Sequence, residues 1–207
     1  MASYPTVDEF KGILLREPLE RVVEDYVFAG VPFVFKGCPG ALKVLQDHLH
    51  KSLALPPENI LVVGSAKIGF SLSPDTFPRG FSRRSDIDVV AIDKTAFDLV
   101  WMTILKWHYP RRYPGLEMVD RTWVRERKKD IYWGFLAPDR IRYTGLSLPE
   151  TLKPLRNLST KWFNAFRGLS LYPEFSPWNV SGRLYRTREH ALLYHVQGLR
   201  QIRDKLV

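Results

Sequence analysis

The 207-residue chain has a single cysteine, Cys38. No disulfide can form within the chain, and nothing near Cys38 resembles a thiolate metal site. Long apolar runs are missing as well. No uninterrupted stretch approaches the roughly 20 residues needed to span a bilayer. The opening segment MASYPTVDEFKG lacks the basic region followed by an apolar run that marks a secretory leader. The expectation is a soluble cytoplasmic protein with no membrane partner. There is no internal repeat and no low-complexity tract. The histidines give no zinc site: His48 and His50 are two positions apart and His190 and His195 five, whereas one helix face needs three or four.

What is present is enough for a core, with 45% apolar and 13% aromatic residues in a length that suits one domain with a modest appendage. The formal net charge is +9 and the isoelectric point near 9.7. Such an excess attracts polyanions such as nucleotides, RNA or DNA, without distinguishing a mononucleotide from a polymer.

The patterning predicts helix over 7–29, interrupted at Pro18. A turn-rich link follows, and then helix over 41–53 with Leu42, Leu45 and Leu49 inward. The run Ile60-Leu61-Val62-Val63 is short, β-branched and ends at Gly64, as buried strands do. Residues 71–85 read as a loop and Ile87 to Ile92 as a second buried strand. A helix over 97–107 comes next. Residues 116–129 fit either a charged helix or a strand pair, and 131–136 reads as extended. The last third is expected to be helical over 152–169 and 187–206, with a turn-rich, aromatic stretch over 173–185 between them.

The chemistry concentrates around the two strands. The first ends in Gly64-Ser65, and the second opens with Asp86-Ile87-Asp88. Side chains alternate along a strand, so Asp86 and Asp88 share a face while Ile87 turns inward. Two neighbouring carboxylates repel unless a cation lies between them. A hard divalent ion such as Mg²⁺ (or Mn²⁺) satisfies both and keeps positions open for phosphate oxygens. Gly64 lets the backbone come close to a phosphate, and Ser65 offers a hydroxyl donor. If a helix starts there, its free N–H groups add to the anion site.

The order strand, Gly-Ser, then Asp-x-Asp on the next strand resembles the polymerase-β-type nucleotidyltransferase superfamily. The resemblance covers about Ile60 to Ile92 and extends weakly over the C-terminal part. It implies an α+β fold, with a small mixed β-sheet flanked by helices and a helical C-terminal region. The corresponding division is an N-terminal helical segment over 1–58, a nucleotidyltransferase core over 59–145 and a helical region over 146–207. By the resemblance, Gly64 and Ser65 hold the triphosphate of an NTP such as ATP, and Lys67 stands near the place of an arginine that often follows the serine. Asp86 and Asp88 are the catalytic metal ligands. The product is a nucleoside monophosphate attached to an acceptor, which could be protein, RNA or a small molecule.

Two features depart from the family pattern. Compact members place the aspartates sooner after the serine. Here residues 70–84 intervene, with Arg79, Arg83 and Arg84, and fit either a lid over the nucleotide or a solvated loop. Full catalytic members also carry a third carboxylate on a later strand. Asp130 is the first candidate and Asp120 the second, though both lie among basic residues that would pair with them. Without that acid the chain fits a nucleotide-binding or partner-binding module with little or no turnover. A third reading is a nucleic-acid-binding protein driven by charge, for which the cluster Arg121, Arg125, Arg127, Lys128 and Lys129 would supply phosphate contacts. Arg183, Tyr185 and Arg186 are candidates for contacts to the base or triphosphate. The tryptophans, spread over several elements, read mostly as core.

Overall fold

The computed structural model describes residues 4–110, 118–141 and 150–207, the side chains of 118–121 excepted. Helix α1 (Val7–Arg16) starts at Thr6 because Thr6 and Glu9 cap each other: the Glu9 N–H donates to Thr6 Oγ1 at 3.3 Å and the Thr6 N–H to Glu9 Oε2 at 2.7 Å. Pro18 stops that helix and opens a second, α2 (Leu19–Val22), which runs on into a π-helical turn over Val23–Phe28. Helix α3 (Gly40–Leu53) ends at Ala54. Strand β1 (Ile60–Val63) leads into a single helical turn, α4 (Ser65–Ile68). Strand β2 (Ile87–Ile92) is followed by α5 (Lys94–His108), whose first turn is capped by the Asp93 carboxylate accepting from the Ala96 N–H at 3.0 Å. Then come α6 (Met118–Trp133), β3 (Phe135–Leu136), α7 (Lys153–Gly168), β4 (Val180–Tyr185) and α8 (Arg188–Asp204).

The strands form one mixed sheet in the order β1-β2-β4-β3, so the fold is α+β with a small sheet flanked by helices. β1 and β3 run antiparallel to their neighbours, whereas β2 and β4 are parallel. A parallel pair needs a long crossover, and here it carries α5, α6, β3 and α7. Alternation along the strands divides the apolar residues into two cores. One face puts Ile87, Val89, Ala91, Val180 and Leu184 against α3, α5 and α7 through Leu45, Leu49, Phe97, Val100, Trp162 and Phe166. The other puts Val63, Val90, Ile92 and Tyr185 against α1, α2 and α8 through Phe10, Leu14, Val22, Val196 and Leu199. Among the described residues no single helix is long and apolar enough to cross a membrane.

Two expectations about the last half of the chain need correction. Of the stretch 116–129, residues 118–129 take the helical alternative, and α6 continues through Trp133, so the extended stretch expected from Ile131 begins only at Phe135. Gly134, at φ +69°, makes the break. The stretch before the last helix is not only turns, because Val180 to Tyr185 forms a strand that hydrogen-bonds on both sides. The helical C-terminal region therefore contributes a central strand, and a boundary at 145/146 cuts across the sheet.

Gly134 gives a direct test of this corner. A Cβ there would lie 1.8 Å from the His190 ring, on a backbone that L-residues rarely adopt. Gly134→Ala should cost about 2–5 kcal/mol, combining backbone strain and overpacking, read as a fall in the urea midpoint.

Candidate functional site

The site is built where β1 ends and β2 begins. The antiparallel register sets Val63 opposite Asp88, so the turn after Val63 lies beside the Asp88 side chain. Gly64 occupies that turn at φ +66°, ψ −145°, a region close to glycine-only. A Cβ on Gly64 would stand 3.3 Å from Asp88 Oδ2. The Gly-Ser turn and the acidic strand, 24 positions apart in sequence, are thus in contact. Ser65 opens α4, but one helical turn has too few aligned peptides to act as an anion site of its own. Any phosphate contact there rests on the Ser65 hydroxyl and the open backbone at Gly64.

At the start of β2 Ile87 is buried, while Asp88, and Asp86 just ahead of the strand, are exposed. The pKa of Asp88 is raised above the usual carboxylate range. Loss of hydration against the sheet is the main cause, opposed by the Arg183 charge. The Asp86 carboxylate adds to the rise, and a hydrogen bond from Ser181 opposes it. Two like charges this close, one of them destabilised by the other, suit a divalent cation. Asp86 and Asp88 fit Mg²⁺ or Mn²⁺, ions that take one or two carboxylates and complete their shell with water and phosphate oxygens. The protein alone does not close a cage, since no cluster of three or more His, Cys, Asp or Glu side chains occurs among the described residues.

The neighbour of β2 on its other side is β4, and the parallel register pairs Asp88 with Ser181 and Val90 with Arg183. Ser181 and Arg183 share the face of Asp88, which is also the face on which Tyr185 is buried with Val90 and Ile92. The strand position beside Asp88 therefore holds a hydroxyl, and the next position on that face a guanidinium. The Tyr194 hydroxyl accepts a hydrogen bond from Arg183, whose guanidinium stacks 5.1 Å from the Tyr194 ring and 5.7 Å from Phe135. Ser181 is not readable as part of this site without β4, and Arg183, a candidate from the sequence, is set beside Asp88 only by that register. Gly182 between them lets Phe166 of α7 lie on the sheet, and that glycine hid the strand in a stretch rich in turn formers.

Other expected participants go elsewhere. Lys67 was expected at the phosphate. Its side chain is buried instead, and Nζ donates to the carbonyl oxygens of Ala29, in a very short contact, and of Gly30 at 2.5 Å. It fastens the end of the π-helical turn to α4 and presents no free cation to the acids. Asp130 lies on α6 rather than on a strand and pairs with Arg127 at 3.2 Å. Burial raises its pKa, against the lowering effect of Arg127 first and Arg183 last, so it shares the field of Arg183 without joining an acidic cluster. The side chain of Asp120 lies outside the described residues, as does that of Arg121. Arg186 is bound to Asp98 at 2.8 Å and Tyr185 is buried, leaving Arg183 as the one of those three beside Asp88. In the α6 basic cluster Arg127 turns to Asp130, while Arg125, Lys128 and Lys129 are exposed.

The insert 70–84 is not simply solvated. The Ser71 N–H donates to Arg79 O and the Phe81 N–H to Gly69 O, both at 2.8 Å. Phe70 is buried, and the Phe81 ring packs 5.8 Å from that of Trp178. This pinned loop carries exposed Arg79, Arg83 and Arg84, the last two just ahead of Asp86. Two formed concavities, of about 440 and 580 Å³, are lined by residues such as Trp101 and Arg186 or Ile92 and Lys94. They gather toward the carboxyl ends of β2 and β4, the end of the sheet away from Asp86 and Asp88. Neither concavity is lined by Asp86 or Asp88, which lie between the Gly64 turn and β4.

Lys67 makes a pH prediction. Removal from water lowers its pKa from 10.5 to about 8. Below about pH 8 the fold carries the cost of a dehydrated ammonium. Above it the folded chain has released a proton that the unfolded chain still holds, so stability should rise with pH from about 8 toward 10. Urea midpoints measured across that window should show the rise in the parent and lose this component in Lys67→Met.

No protein-family model matches the chain, and no curated protein or solved structure does either.

Proposed function

We propose that the chain is a metal-dependent nucleotidyltransferase of the polymerase-β type, moving a nucleoside monophosphate from an NTP to an acceptor. The observation that carries the reading is the contact between the Gly64 turn and the Asp88 carboxylate. It brings the Gly64 backbone, with Ser65 next in sequence, up to Asp88, and Asp86 and Asp88 are both exposed. In this reading Gly64 and Ser65 take up the triphosphate, and Asp86 and Asp88 hold a Mg²⁺ or Mn²⁺ ion. The exposed arginines of 79–84 add positive charge at the rim. When bound, the ion neutralises charge on the phosphates being transferred. The acceptor oxygen forms a bond to the α-phosphorus as the bond from that phosphorus to the β-bridging oxygen breaks. Pyrophosphate leaves with that bond's electrons, and the acceptor's proton passes to water. The chain's part in this is to position the α-phosphate and to present the acid pair at the start of β2.

A second reading follows from Ser181. With a hydroxyl in register with Asp88, no side chain at that strand position can serve as a base for the acceptor. A nucleotide-binding module with slow turnover fits that arrangement. One assay separates the two readings: α-phosphate-labelled NTP with Mg²⁺, offered to the protein itself, RNA and small hydroxyl or amine acceptors. The enzyme reading expects label transfer and pyrophosphate release by the parent and none by Asp86→Asn. Tight, Mg²⁺-dependent NTP binding with no pyrophosphate from any acceptor would reject turnover and leave the binding module.

A further inference from the structure

We propose that Arg183 takes the place of a second metal ion, so that the site holds one divalent cation and one fixed guanidinium facing the same triphosphate. The inference rests on the nucleotide-binding reading above. Three strand positions carry it. Asp88 and Ser181 are direct partners on parallel strands, and Arg183 is the next residue on that face of β4. From strand geometry its Cα lies about 8 Å from that of Asp88, a distance that a guanidinium on a long side chain can cover. A second divalent ion beside Asp88 would need a further anionic oxygen from the neighbouring strand. Ser181 supplies a neutral hydroxyl there, and Arg183 adds positive charge that repels another cation.

Arg183 is also built to stay charged and in place. Among the described residues it has no carboxylate partner. It is held by the Tyr194 hydroxyl and by the faces of Tyr194 and Phe135, and its charge reaches both Asp88 and Asp130. Hydrogen-bonding and stacking partners of this kind fix a guanidinium without neutralising it. Its donor edge suits phosphate oxygens bidentately, as an ammonium does not. The side chain thus supplies, for charge on the leaving β- and γ-phosphates, the part of a second ion's work that needs only fixed positive charge, and activates no attacking oxygen.

Counting bound Mn²⁺ tests this without reference to activity. The intact chain is titrated with Mn²⁺ to millimolar levels beside a stoichiometric, non-cleavable NTP analogue, with free Mn²⁺ read by electron paramagnetic resonance. One Mn²⁺ per protein–nucleotide complex is expected. Arg183→Gln should leave that count at one and weaken analogue binding by about 10- to 100-fold. Arg183→Lys should recover part of the loss, which a merely structural change would not do. Ser181→Asp, which supplies the missing oxygen, should raise the count toward two. Two Mn²⁺ ions in the parent, or an Arg183→Gln protein that is folded by circular dichroism and binds the analogue as the parent does, would overturn the proposal while leaving nucleotide binding standing. A parent that binds neither Mn²⁺ nor analogue would reject the nucleotidyltransferase reading, and this inference with it.

Discussion

Asp88→Asn should abolish nucleotidyl transfer, by about 10³-fold or more, while leaving the fold intact. The magnitude is that of removing a pre-set group acting on transition-state charge. Its distinguishing sign is in stability. Asp88 sits beside Asp86 with its ionised form disfavoured, so an amide of the same shape removes a repulsion and keeps an acceptor for Ser181. The urea midpoint of the metal-free variant should equal or exceed that of the parent. A structural acid behaves the other way, because its loss lowers stability and touches activity only through unfolding. A variant as stable as the parent and fully active would show that Asp88 plays no part in transfer. Asp86→Asn should follow the same pattern, since its charge acts directly on Asp88.

Gly64→Ala should cost both stability and function. At φ +66° and ψ −145° an alanine is strained by about 1–3 kcal/mol. Its methyl group would also meet Asp88 Oδ2 at 3.3 Å, tighter than nine in ten real contacts, so the carboxylate must give by a few tenths of an ångström. A misplacement of about 1 Å can cost about 10²-fold in rate, and a shift of tenths costs a smaller part of that. The expected result is a reduced urea midpoint with a disproportionate loss of metal-dependent nucleotide binding. Gly37→Ala is the control, because a Cβ there meets nothing within 4 Å and its backbone is ordinary. Equal effects from the two substitutions would mean that Gly64 matters only as a turn.

Both predictions concern residues that are legible in the sequence, and the reason is local. A short β-branched run, a glycine at its end and an alternating acid pair each leave a signature within a few residues. Strand geometry then converts that signature into a shared face. The break at Pro18, the inward face of α3 and the limits of β2 are legible for the same reason. What the pattern does not carry is partnership across the chain. β4 pairs with β2 from more than ninety positions away, and its own stretch mixes serine, glycine and arginine in a way that favours turns. Ser181 and Arg183 could be placed beside Asp88 only by the register. Lys67 shows the opposite failure. Its position after Gly-Ser suggests a phosphate ligand, yet a nearby pair of carbonyl oxygens at the end of the π-helical turn captures the ammonium. Asp130 is a candidate for a strand-borne acid because it stands just before aromatic residues that read as extended. The helix that actually carries it offers Arg127 one turn back, and that pairing decides its surroundings.

The measurement that bears most directly on the central claim is calorimetric binding of a non-cleavable NTP analogue with and without Mg²⁺, on the parent and on a protein carrying both Asp86→Asn and Asp88→Asn. The account predicts binding by the parent that strengthens at least about tenfold with Mg²⁺, and a folded double variant in which the Mg²⁺ effect is gone. Binding that ignores Mg²⁺ and both aspartates, and falls only with added salt as a screened attraction does, would contradict it and return the chain to the class of basic polyanion binders.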